Sequence, residues 1–148
     1  MAPIRNRTAW EARFMALQLV AHVKIKSGGC IKVKGEVAPE AQSFALNLGQ
    51  DESNLIIHFN PRFDFHGDIR TIVCNSKTEG QWDTELREAE FPFQQGEETK
   101  ICVSFDAEEI TVELPEGQEL RFPNRFGLEA ADYFSVTGDL HVKSVKFK

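Results

Sequence analysis

Alternation of apolar and polar residues through three consecutive runs is the feature that most limits what this chain can become. Residues 55–63 read LIIHFNPRF, residues 64–75 DFHGDIRTIVCN and residues 76–87 SKTEGQWDTELR. In the first run Leu55, Ile57, Phe59 and Phe63 alternate with Ile56, His58, Asn60 and Arg62. A period of two is that of a strand with one buried face, so His58, Asn60 and Arg62 are expected to project together, away from the core. In the second run Ile72 and Cys74 point one way, Val73 and Asn75 the other. In the third, Leu86 is the apolar member and Glu85 and Arg87 share the opposite side. Pro61 has no N–H to give a ladder, which predicts an edge strand or a bulge there. Residues 64–68 read as a loop, and Glu79-Gly80 as the turn that delivers Trp82.

Three adjacent strands of this kind gather His58, Asn60, Arg62, Asn75, Glu85 and Arg87 on one sheet surface, with Trp82 at its border. Planar donor and acceptor heads beside an indole suit a polyhydroxylated ligand. Vicinal hydroxyls both donate and accept, as Asn, His and an Arg–Glu pair require, and a pyranose has an apolar C–H face for a ring to cover. Solvation alone accounts for one polar face of an antiparallel sheet. It does not account for three in register beside a tryptophan.

The rest of the chain keeps the rhythm. LQLVAHVKIK, from Leu17 to Lys26, reads as one strand, closed by Gly28-Gly29. Ile31 and Val33 alternate with Lys32 and Lys34, and on an acidic protein these lysines are expected to form a solvated face. Phe44, Leu46 and Leu48 alternate with Ser43, Ala45 and Asn47, and Gly49 is expected to close that strand. Ile101, Val103 and Phe105, then Ile110, Val112 and Leu114, repeat the pattern, and Pro115-Glu116-Gly117 turns the chain into Leu120 and Phe122. In the closing strand Leu140 and Val142 share one parity, Val145 and Phe147 the other, which predicts a bulge or a face covered by a partner. Short strands with turn signals every 8–12 residues indicate an all-β, two-sheet antiparallel β-sandwich.

Composition excludes several alternatives. The 148 residues suffice for one domain with a real core. A net charge of −6 argues against nucleic acid as a partner, and no apolar run approaches the ~20 residues of a membrane span. Cys30, Cys74 and Cys102 are odd in number and lack metal spacing; they are expected as packed free thiols in a reducing compartment. Asp83, Glu85 and Glu88 offer carboxylates, and a glycosidase needs a pair about 5–5.5 or 6.5–9.5 Å apart with one member protonated. Arg62 and Arg87, expected beside Glu85, favour an ionised acceptor over a general acid. His58, His66 and Asp68 lack the clustering of a metal site, so the histidines are expected to act as hydrogen bonders. No P-loop, GxGxxG or nucleophile elbow is present.

HFNPRF, His66, IVCNS, the W-x-x-E-x-R of Trp82, Glu85 and Arg87, and FPF together resemble the carbohydrate-recognition domain of galectins. The similarity extends through GEVAPEAQSFALNLG and VELPEGQELRFPNR and covers nearly everything from Met15 to Lys148. The resemblance implies a jelly-roll sandwich with its groove on the concave sheet, and a lectin for β-galactosides that needs no metal or cofactor. It implies that His58, Asn60 and Arg62 hold the axial 4-hydroxyl of galactose, Asn75 and Glu85 the 6-hydroxyl, and Trp82 the apolar face. Arg62, Glu85 and Arg87 would contact the next sugar, and His66 would line the groove further out. It further implies a non-covalent homodimer through Leu17–Lys26 and Leu140–Lys148 that cross-links glycoconjugates, with no membrane insertion. Synthesis in the cytoplasm with export outside the secretory pathway, hence an extracellular role, belongs to the same expectation. Residues 1–14, arginine-rich and without alternation, are expected to be a mobile extension, or translation from an upstream start, ahead of a domain at residues 15–148. The competing expectation is an intracellular protein-interaction domain whose sugar groove is unused.

Overall fold

The computed structural model describes residues 16–148, so the expectations for residues 1–14 lie outside the described residues. The segments are β1 (Leu17–Ala21), β2 (Ile25–Lys26), β3 (Cys30–Val37), β4 (Phe44–Asp51), β5 (Asn54–Phe65), β6 (Asp68–Thr78), β7 (Gln81–Trp82), β8 (Leu86–Glu88), β9 (Glu98–Phe105), β10 (Glu109–Glu113), β11 (Glu119–Pro123), β12 (Ala130–Ala131), β13 (Tyr133–Gly138) and β14 (Leu140–Phe147). One sheet has the order β1-β13-β4-β5-β6-β7, with β8 also on β6; the other has the order β11-β10-β9-β3-β14. A two-stranded ladder joins β12 to β2. Every pairing is antiparallel, so the expected two-sheet sandwich is the fold. The core between the sheets takes Ile31 and Val33, Ile101 and Val103, Ile110 and Val112 from one side, and Phe44, Leu46, Ile57 and Phe59 from the other.

Strand β5 departs from simple alternation at its start. Ile57, Phe59 and Phe63 reach the core as expected, but Ile56 lies there too, fully buried, while Leu55 lines the opposite face. The ladder to β6 slips by one residue between Leu55 and His58, and the ladder to β4 slips beside Gly49. An inserted residue lets two successive side chains share a face and inverts the phase beyond it. Gly49 does not close β4, which continues to Asp51. A Cβ on Gly49 would stand 2.1 Å from the Asn54 carbonyl oxygen, so the bulge requires glycine here.

Pro61 is on neither an edge nor a bulge, because β5 lies between β4 and β6. Leu46 faces Phe59 and Ser43 faces Arg62, which puts Phe44 opposite Pro61. The Phe44 carbonyl, which an N–H at position 61 would meet, accepts from the Asn60 carboxamide instead, at 2.7 Å. A proline is thus tolerated inside the sheet because the neighbouring side chain supplies the missing donor.

Residues 64–68 are not the expected loop. β5 runs to Phe65, paired with Asp68, and only His66 and Gly67 connect the strands. Their φ angles of 50° and 82° make a turn of the left-handed type that continues the strand twist, so pairing persists to the tip. The run Leu17–Lys26 is likewise two strands. β1 pairs with β13 only as far as Ala21 opposite Phe134, and the chain then crosses to pair Ile25 with Ala131. The third central run also divides, into β7 and β8, and Leu86 is exposed because its three-residue strand pairs with β6 alone. The phase switch in the closing strand is a bulge between Val142 and Ser144.

Phe93 enters the core from the segment after β8 and meets Phe44, Phe59 and Phe91 edge-on, with centroids 5.5, 6.4 and 5.5 Å away. Truncation leaves a cavity that three rings lining it cannot close. Phe93→Ala is expected to cost about 3–5 kcal/mol, read as a lower urea midpoint at unchanged m. A loss below about 1 kcal/mol would show that the cluster collapses onto the gap.

Candidate functional site

The outer face of the long sheet forms an open groove of about 1270 Å³. His58, Asn60, Arg62, Asn75, Trp82 and Glu85 line it, as expected from the alternation and the turns, and so does His66, as the resemblance implies. Arg87, paired in register with the groove-lining Val73, is not itself part of the lining and donates to Glu85. Asn47, Ser135 and Lys77, from β4, β13 and β6, also line the groove and were not singled out from the sequence.

The orientation of His58 follows from its neighbours. Asn47 donates its Nδ2 to Ser135 Oγ at 3.1 Å, which leaves its Oδ1 facing His58 Nδ1 at 2.6 Å. A carboxamide oxygen only accepts, so Nδ1 carries the ring proton and Nε2 is left as an acceptor. Burial, then the charges of Arg62 and Lys77, push the imidazole down from 6.5 to about 4, which keeps it neutral. β5 therefore presents one acceptor, from His58, beside the donors of Asn60 and Arg62.

Those donors are held by a chain of alternating charges. Arg62 donates Nε to Asn60 Oδ1 at 2.9 Å and Nη1 to Asp68 Oδ2 at 2.7 Å. Arg87 donates Nη2 to the same Asp68 oxygen at 3.1 Å and Nη1 to Glu85 Oε1 at 2.6 Å. The hydrogen bonds from Arg87 and Arg62 hold the Asp68 carboxyl below the usual carboxylate range. This corrects one expectation: Arg62 does not pair with Glu85, because Asp68, at the first position of β6, stands between the two guanidinium groups. The sequence reading met Asp68 only as a weak metal candidate. Its signal was its place directly after the His66-Gly67 turn, where β6 begins opposite Phe65. Among the described residues no three His, Cys, Asp or Glu side chains converge as a metal site would need.

Trp82 is about half exposed (49%), unusually so for an indole, and its ring lies 4.7 Å from that of His58, tilted by 53°. Lys77, its cross-strand partner, places Nζ 4.7 Å from the indole centroid. A further residue, Arg125, locks the segment that carries Trp82. It donates to Ser76 Oγ at 2.9 Å, to the Thr84 carbonyl at 2.8 Å and to Asp83 and Asn75 at 3.4 Å, and packs over Phe122. Asn75 donates Nδ2 to the Asp83 carbonyl at 2.9 Å and accepts the Ser76 N–H, which turns its remaining N–H to the groove. His66 sits at the mouth, its ring 3.9 Å from Phe65. Nothing in the sequence pointed to Arg125, which lies 50 residues from its partner Asn75.

The lowered His58 pKa makes a prediction. Between about 4 and 6.5 the unfolded chain takes up a proton at this residue that the folded chain does not. Its contribution to stability is therefore complete above pH 6.5 and declines as the pH falls towards about 4, by roughly 3 kcal/mol at the low end. Urea unfolding at several pH values should show this slope flattened in His58→Gln. An unchanged slope would mean that the ring is not held neutral.

The sequence model of the galactoside-binding lectin domain matches residues 16–147. Galectin-1 of Sus scrofa is 54% identical over 135 residues, which covers 90% of this chain and all of that protein. Among solved structures, a homodimeric agglutinin from chicken liver is similar with a TM-score of 0.85 at 51% identity, covering 88% of this chain and 98% of that one. A toad ovary galectin in complex with N-acetylgalactose has the same TM-score at 40% identity, covering 88% and 97%.

Proposed function

Because the chain belongs to the galectin family of galactoside-binding lectins, we propose that its groove residues divide the hydroxyls of a β-galactoside between them, and that the protein cross-links glycoconjugates as a homodimer without catalysing a reaction. It is a β-galactoside-binding lectin; the assignment of each contact is the proposal. The observation that carries it is the juxtaposition of one acceptor, His58 Nε2, with the free N–H groups of Asn60 and Arg62. An axial 4-hydroxyl pointing into this trio donates to His58 and accepts from the other two. The equatorial hydroxyl of glucose points elsewhere and leaves the buried Asn60 and the part-buried His58 and Arg62 unmatched, which is a costly mismatch.

The 6-hydroxyl reaches the remaining Asn75 N–H and the carboxylate of Glu85, and Trp82 covers the C–H face of the ring. Arg62, Glu85 and Arg87 meet the second sugar. Their mutual ion pairs hold these heads in position before the ligand arrives, which lowers the ordering cost of binding. Glu85, ion-paired to Arg87, works as an acceptor. The homodimer proposal draws on the chicken agglutinin, whose description is homodimeric. It places the contact at β1 and β14, the sheet edges, where Leu17, Val20 and Phe147 are exposed. A cytoplasmic and extracellular location stays part of the same proposal.

A shallow, wet site yields modest monovalent affinity, on the order of 0.1 mM or about −5.5 kcal/mol. Pairing two sites can raise avidity by ~10²–10⁴. Calorimetric titration with lactose tests the assignments. Trp82→Ala is expected to abolish measurable binding while the domain stays folded, because the indole is half exposed. Arg62→Lys is expected to lose about 2–3 kcal/mol, roughly 30- to 150-fold, since a point charge cannot serve Asn60, Asp68 and a sugar in one plane. Binding should be unchanged by EDTA. Full affinity in either variant, or sensitivity to the chelator, would overturn this chemistry. Failure of the parent to bind a lactose column would favour the protein-interaction alternative.

A further inference from the structure

The face of the sandwich away from the groove carries a charge pattern that galactoside binding does not use. Lys32 and Lys34 alternate along β3 with the buried Ile31 and Val33, so their stems leave the outer side of the five-stranded sheet. On one flank Lys146 of β14 stands directly opposite Lys32; on the other, Lys100 of β9 stands directly opposite Lys34. With strands about 4.8 Å apart and same-face neighbours about 6.8 Å apart, four ammonium stems rise from an area of roughly 10 by 7 Å. Like charges directly opposite one another destabilise a sheet, and here two such pairs adjoin. Among the described residues, none of the four makes an ion pair. Glu36 and Glu98, the next outward positions beyond Lys34 and Lys100, flank the cluster at one end, and Glu98 is taken by Lys143, with Nζ at 2.5 Å. A cluster of four unpaired cations on a chain of net charge −6 is the reverse of what general solubility produces.

We propose that this strip binds the sulfate groups of a linear sulfated polysaccharide, so that one domain holds a galactoside on one sheet and an acidic glycan chain on the other. Charge complementarity selects a polyanion, and the rim selects a thin one. Glu36 opposite Glu98 bounds the strip at one end of β3, and Glu113 opposite Cys102 bounds it on the β10 side. A planar anionic membrane pressed against this face meets those carboxylates as well as the lysines. A single chain crossing from Lys146 by way of Lys32 and Lys34 to Lys100 meets only cations. Single-stranded nucleic acid is thin as well, but sites for it supply aromatic side chains on which bases stack. No Trp, Tyr or Phe accompanies the four lysines on the outward positions of β3 and β9. The strip lies on the opposite sheet from His58 and Trp82, so the two ligands do not compete for residues.

Binding of a heparin fragment to the full chain, measured against NaCl concentration, tests the proposal. The parent is expected to bind with a steep salt dependence, and saturating lactose should leave this binding in place. Lys32→Gln/Lys100→Gln is expected to weaken it about tenfold or more and to lower the log–log salt slope by roughly two ions, with lactose affinity unchanged. Lys24→Gln/Lys26→Gln, which removes the same charge elsewhere, should have little effect. The strip variant should melt at the same or a higher temperature, because two like-charge pairs have been broken. Equal binding of desulfated heparin, loss of heparin binding in lactose, an equal effect of the control pair, or a lower melting temperature in the strip variant would each overturn it. Tighter binding of phosphatidylserine vesicles or of a single-stranded oligonucleotide through the same lysines would overturn the choice of ligand.

Discussion

The Asp68 carboxylate, held between two guanidinium groups, is the interaction on which the site depends. Arg62 and Arg87 come from different strands and would repel one another across the groove floor without an anion between them. Asp68 removes that repulsion and fixes both side chains, Arg62 through Nη1 and Arg87 through Nη2. The order continues outwards at each end, to Asn60 through Arg62 Nε and to Glu85 through Arg87 Nη1. Five side chains thus share one hydrogen-bonded line. A line of this kind is worth more as geometry than as stability. Its Arg87–Glu85 end is half exposed, where ion pairs contribute little, but a sugar meets heads already in place.

The fold makes this line possible by treating the two sides of one sheet differently. Phe59 and Ile57 close the core while His58, Asn60 and Arg62, one residue on, face the groove. Pro61 tightens the link between the layers. Its missing N–H frees the Phe44 carbonyl, the Asn60 carboxamide takes it, and the same carboxamide is then turned to receive Arg62. A backbone vacancy in the ladder and the orientation of a ligand-facing residue are therefore one event. Arg125 does the corresponding service at the other end, where it joins β6 to the segment around Trp82.

The opposite sheet pairs its charges at Lys143–Glu98 and around Arg121, but not among the four lysines. Those lysines face one another across β14, β3 and β9, and Glu36 and Glu98 stand only at one end of the cluster. A fold that satisfies its charges so thoroughly on one face and leaves them opposed on the other presents two chemically distinct surfaces. Neutral hydroxyls suit the first, and fixed anionic groups suit the second.

Much of this was legible in the sequence, because alternation is a property of the local backbone. A strand turns successive side chains to opposite sides whatever it packs against, so the parity of His58, Asn60 and Arg62, and of Asn75 against Cys74, needed no knowledge of neighbours. The same holds for the sandwich class and for the turn before Trp82. The residues themselves were also enough for the family resemblance. What the sequence by itself could not determine was register. Two bulges inverted the phase at Leu55 and Ile56 and in the last strand, and a two-residue turn made strand out of an expected loop. Register also chose the partners: Asp68 for Arg62 instead of Glu85, Asn47 for His58, and Lys146 and Lys100 for the two lysines of β3. Each of these pairs joins different strands, and the offset between strands is set by bulges, by turn geometry and by the packing of the whole core. The facing of each side chain is therefore written in the local chain, whereas the charge it meets is decided only when the sheets assemble.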